Sequence, residues 1–114
     1  MLILAWAASG QGSWCNFDLV DLSGVDDFGV YVIWHEGNPG RIIRIGKGEI
    51  AARLTAHRSD LSICQFRKRG TLRVTWAAVP ADLVDGVERF LVAHLAPLVG
   101  DAARDVPQVA VNLP

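Results

Sequence analysis

Cysteine is scarce in this chain. Cys15 and Cys64 are the two present, far apart and in no CxxC or Cys/His pattern, so neither a disulfide scaffold nor a zinc site is suggested, and a reduced, cytoplasmic protein is expected. Long apolar runs are also lacking. The longest, residues 2–8 (LILAWAA), falls far short of the roughly 20 residues a membrane span needs, and no basic residue precedes it as in a secretory signal. No internal repeat, low-complexity tract or linker appears. The stretch 40–48 carries Gly46-Lys47 but has Arg41 and Gly48 where a phosphate-binding P-loop needs Gly and Ser/Thr, which excludes that class of nucleoside triphosphatase. No GxSxG occurs, so covalent acyl transfer has no local signature. A net charge of −1 excludes a polybasic tail protein.

Hydrophobic residues are plentiful. They form 51% of 114 residues against 20% charged, enough for one domain with a real core. The charges are segregated: nine of the eleven basic residues fall between positions 41 and 73 with only Glu49 and Asp60 for company, so that segment carries +7 and the remainder −8. A concentration of this kind predicts a positive surface that meets a polyanion, with Arg41, Arg44, Arg58, Arg67, Lys68, Arg69 and Arg73 as the nucleic-acid-binding candidates. The plainer alternative is that loops happened to collect arginines.

Residues 1–27 have no clear period and read as an N-terminal extension of uncertain structure, set off by the loop-like ASGQGS at 8–13; residues 28–114 read as the main domain. From Phe28 the alternation of Phe28, Val30, Val32 and Trp34 with Gly29, Tyr31, Ile33 and His35 predicts a strand with one wholly apolar face. EGNPG at 36–40 is turn chemistry and RIIRIG at 41–46 a second strand, so the two make a hairpin. GKG at 46–48 is expected to break that strand, and a helix follows from 49 to about 59, projecting Arg53 and His57 from one face. A third strand spans 71–79. Asp82 is expected to cap a helix that runs to about residue 96 before Pro97 stops it.

On that last helix Leu83, Val84, Val87, Phe90, Leu91, His94 and Leu95 make the apolar stripe, and Asp82, Asp85 and Arg89 are expected to face away from it. Glu88 falls at the rim, where a carboxylate is costly unless it is paired or ligates something. An exposed rim Glu, or an ion pair with an arginine, is the structural alternative.

Tyr31, Lys47, Arg53, His57 and Glu88, spread over a strand, a tight turn and two helices, suit phosphodiester cleavage. That reaction needs charge stabilisation at the pentavalent phosphate, a proton acceptor near the attacking water and help for the leaving oxygen. A single carboxylate can hold a Mg²⁺ that keeps most of its waters.

The order and spacing of Gly29-Val30-Tyr31, Arg44-Ile45-Gly46-Lys47, Arg53 with His57, Glu88 and finally Asn112 in Val-Asn-Leu-Pro resemble the GIY-YIG nuclease superfamily over residues 28–114. The resemblance implies a small α+β domain, a three-stranded sheet flanked by helices, and an endonuclease that hydrolyses DNA phosphodiester bonds with one Mg²⁺ or Mn²⁺. It implies that Glu88 binds the metal, Tyr31 and Lys47 lie near the attacking water, Arg53 stabilises phosphate charge, His57 supports the site, and Asn112 holds the chain's end against the catalytic face. DNA is the implied partner, RNA stays open as an alternative, no membrane is involved, and homodimerisation is one way to gain reach. The family's second motif begins with Tyr where this sequence has Arg44. That departure sets an active enzyme beside a catalytically inactive nucleic-acid-binding module using the same basic face.

Overall fold

The computed structural model describes residues 1–10, 12–100 and 105–114. Its elements run β1 (Cys15–Asn16), β2 (Phe28–His35), β3 (Arg41–Glu49), α1 (Ile50–His57), α2 (Leu61–Cys64), a 3₁₀ helix (Gln65–Arg69), β4 (Leu72–Ala78) and α3 (Val84–Leu95). The architecture is α+β as expected. The sheet, however, is four-stranded and antiparallel, in the order β1-β4-β2-β3, where three strands were expected. The added strand is the two-residue β1, which pairs Cys15 with Val74 and Asn16 with Arg73. A strand this short has no alternation to read, so only its partner reveals it.

β2 is the middle of the sheet and is covered on both faces: Val30, Tyr31, Val32 and Ile33 are all fully buried. Tyr31 and Ile33 face a layer made by Ile50 and Leu54 of α1, Ile63 of α2, Phe17 and Leu22. Val30 and Val32 face Val84, Val87 and Leu91 of α3, together with Leu4 and Val111 from the two chain ends. Helices therefore lie on both sides of the sheet, as in other folds whose central strand reads as a nearly continuous apolar run.

Two boundaries differ from expectation. GKG does not break β3, which continues to Glu49, because Gly46, Lys47 and Gly48 all pair across the ladder with Tyr31, Val30 and Gly29. Gly48 meets the ladder with φ of +126°, a conformation open to glycine. α3 begins at Val84, with Leu83 and not Asp82 at its N-cap position and no side-chain cap.

The described residues before β2 bond to the sheet and to the C-terminal segment at several points. Phe17 bonds Leu72, and Ala7 bonds Trp76 through its N–H and Thr75 through its carbonyl, along the outer edge of β4. Leu2 forms a parallel bridge with Val111. Asn112 does hold the chain's end, but its partner is the N-terminal segment: its amide accepts from Leu4 N–H (2.6 Å) and donates to Leu4 C=O (3.0 Å), while its carbonyl accepts from the Trp6 indole. At the opposite edge, Leu98 and Val99 bond Ile42 and Ile43 of β3. Among the described residues nothing pairs with the outer edge of β3 from 45 to 49. No described helix is long and apolar enough to cross a membrane.

Asn112→Ala strands two half-buried backbone groups of Leu4, a loss of about 1–3 kcal/mol. Urea unfolding should show a lower midpoint with an unchanged slope; an unchanged midpoint would mean that the clasp between the chain ends contributes nothing.

Candidate active site

β3 carries side chains to both faces of the sheet, and this divides the predicted site residues. Lys47, opposite Val30, points to the α3 side. There its ammonium bonds the carboxylate of Asp85 and lies 3.5 Å from Oε1 of Glu88. Asp85 and Glu88 are one helical turn apart, so both reach the same cation. The hydrogen bond that Lys47 donates to Asp85, with the charge of Glu88 adding to it, holds the Lys47 pKa above its usual value despite partial burial. Glu88 is buried inside the α3 contact rather than at the rim, with 5% of its surface exposed. Asp85, expected on the far side of the helix, is instead Lys47's closest partner, and its position three residues before Glu88 was the signal that could have found it.

On the α1 side stand Tyr31, Arg44, Arg53 and His57. Tyr31 is fully buried, and its hydroxyl lies 2.5 Å from Nε2 of His57. His57 in turn places Nδ1 3.3 Å from Oδ2 of Asp60. An ionised carboxylate only accepts, so Nδ1 carries the ring proton and Tyr31 donates to Nε2. Asp60 was not singled out in the sequence. It also caps α2 by accepting from Ser62 N–H, and its pKa is held low chiefly by the Ser62 hydroxyl. Gly46 is required by Tyr31: a Cβ there would overlap the phenol ring and its oxygen.

Arg53 leaves the first turns of α1 beside Gly48, where a Cβ would meet its Cγ at 3.3 Å. It is exposed, and its guanidinium has no partner among the described residues. Arg44 is half-buried. Its Nε is enclosed without a partner among the described residues, and a Cβ on Gly100 would lie 2.8 Å from its Nη1. Thus Lys47 on one face and Arg53 on the other flank the same unpaired end of the edge strand, with Gly48 between them.

The seven nucleic-acid-binding candidates divide as well. Arg58 donates to the carbonyls of Phe17 and Val20, Arg67 grips Asp18 with two nitrogens, and Arg73 bonds Glu36 and Trp14 O. These three tie the N-terminal segment and the β2–β3 turn to the body. Arg41, Lys68 and Arg69 are exposed and gather at a cavity beside that turn.

Mg²⁺ is commonly held by one or two carboxylates, with water and phosphate oxygens completing the shell. Asp85 and Glu88 fit that donor set, since their oxygens already converge on a cation. No group of three His, Cys, Asp or Glu side chains is placed to hold a metal among the described residues, so these two carboxylates are the candidate donors. Comparison with family models, with curated proteins and with solved structures returns no match for this chain.

Burial, together with the charges of Arg44 and Arg53, lowers the His57 pKa against the opposing pull of Asp60. The unfolded chain therefore binds a proton more readily than the folded one. The stability this contributes is full above the ordinary histidine value of about 6.5 and is lost as pH falls through the lower folded value. Urea midpoints should drop between roughly pH 7 and pH 5 in the parent protein, and His57→Gln should flatten that dependence. An equal slope in both would remove His57 from the account.

Proposed function

We propose that this chain is a metal-dependent endonuclease of the GIY-YIG type that hydrolyses DNA phosphodiester bonds at the free end of β3. The observation that carries this reading is Lys47 paired with both Asp85 and the buried Glu88, across the edge strand from Arg53, which has no partner among the described residues. A face that merely holds phosphates has no use for two carboxylates beside its cations. A site that cleaves them does, because carboxylates can anchor the divalent ion.

Each side chain has work suited to its chemistry. Arg53 offers a planar fork to two non-bridging oxygens, and Lys47 is a compact charge that can turn from Asp85 to phosphate. Asp85 and Glu88 would hold Mg²⁺ or Mn²⁺, which when bound supplies charge stabilisation at the phosphate and a more acidic water. Tyr31 acts differently from what the family pattern implies. With its hydroxyl engaged by His57 and no exposed surface, it is a positioning residue that fixes β2 and β3 against α1 and so sets where Arg53 stands.

The same burial favours a second reading. Tyr31 is the single tyrosine of the chain, and Arg44 occupies the place of the family's second one, so no exposed phenol is present to accept a proton from water. A nucleic-acid-binding module without cleavage needs no such group.

Supercoiled plasmid separates the two. The parent protein should nick it with Mg²⁺ or Mn²⁺ and not with EDTA. Glu88→Gln should abolish nicking while DNA binding persists, and Arg53→Ala should slow it by about two to three orders of magnitude, the scale of one lost oxyanion donor. Tight binding with no nicking under any metal would overturn the nuclease and leave the binding module.

A further inference from the structure

Beside the β2–β3 turn, at the far end of β3 from Lys47, lies a cavity of about 430 Å³ lined by His35, Asn38, Arg41, Phe66, Lys68 and Arg69. Its size falls within the range of about 300–1,000 Å³ that holds small organic ligands. The walls are preformed. Gly37 donates to Nδ1 of His35 (3.0 Å) and packs so closely on the 3₁₀ helix that a Cβ would lie 2.6 Å from Arg69 O. His35 stacks on Phe66, with ring centroids 5.8 Å apart and planes 12° from parallel.

The lining has two distinct chemistries. Arg41, Lys68 and Arg69 are three cations with no acidic partner among the described residues, whereas Arg67 and Arg73 next to them in sequence are paired with Asp18 and Glu36. His35 is buried to 4% exposure, and its Nδ1 is already engaged by the Gly37 N–H. A cationic rim around an aromatic face matches a nucleotide: the phosphate takes the cations and the base takes the aromatic face. A paired base inside a duplex offers no face for stacking, so the nucleotide must be unpaired.

We infer that this cavity binds one unpaired nucleotide of the nucleic-acid substrate, the base against Phe66 and His35 and the phosphate among Arg41, Lys68 and Arg69. The inference rests on the reading that the chain acts on nucleic acid, and it adds a substrate class: duplex with a single-stranded extension. Arg41 and Lys47 are six residues apart on β3, about 20 Å at roughly 3.3 Å per residue. That length matches about six base pairs, so the unpaired nucleotide and the scissile phosphate belong to one continuous substrate.

The test is fluorescence anisotropy of the full chain in EDTA, with a blunt duplex and the same duplex bearing a short single-stranded extension. The parent protein should bind the extended probe about tenfold more tightly, the scale of one base stacked on an aromatic ring. Phe66→Leu should bring that probe to the blunt-duplex affinity, and so should Lys68→Ala combined with Arg69→Ala, whose exposed positions leave the unfolding midpoint unchanged. Equal affinity for the two probes, or a preference that survives both variants, would overturn the inference. Cleavage is scored separately on plasmid. A protein that prefers the extension and never nicks keeps the cavity and loses the nuclease, and one that nicks without the preference does the reverse.

Discussion

Tyr31 can lie fully buried on the α1 side of the sheet because Gly46, its partner across the ladder, has no side chain. The phenol fills that space and reaches His57, and so three elements meet in one contact: β2 through Tyr31, β3 through Gly46 and α1 through His57. His57 passes the constraint on to Asp60, which caps α2. A buried hydroxyl without a partner costs about 1–3 kcal/mol, so the Tyr31–His57 bond is what makes the arrangement tenable. With α1 fixed in this way, Arg53 is held beside Gly48 at the end of the edge strand.

The second consequence is a site built across an edge. Alternation along β3 sends Lys47 toward the carboxylates of α3 and leaves Arg53 of α1 on the other face. A site contained within one face would need both charges on the same side of the sheet. On the proposed reading a ligand would reach both by straddling β3 from 45 to 49, where its outer edge is unpaired among the described residues. Upstream, Leu98 and Val99 cover Ile42 and Ile43, which confines the accessible backbone to the end that carries the charges.

The hairpin, α1, β4 and α3 were legible because each carries a period that its neighbours cannot alter: alternation in 28–35, turn residues in 36–40, helical spacing of Val84, Val87 and Leu91. β1 and residues 1–10 were not, since their places are set by β4 and by Asn112, a hundred residues away. For the candidate site, proximity was more legible than environment. Glu88, Lys47 and Arg53 do gather at one strand end, whereas the burial of Tyr31 depends on packing over Gly46 that no local pattern announces. The basic segment shows the same limit. Nothing local distinguishes Arg58, which holds the carbonyls of Phe17 and Val20, from Arg69, which has no such partner among the described residues.

The central claim is that Lys47 and Arg53, on opposite faces of β3, act on one phosphate. A double-mutant cycle on kcat/KM for cleavage, with Lys47→Ala, Arg53→Ala and both together, measures this directly. Groups that serve one phosphate are coupled, so the double variant should be about as slow as the slower single variant. Losses that simply multiply would show two independent contacts and contradict the account of a single site straddling the edge strand.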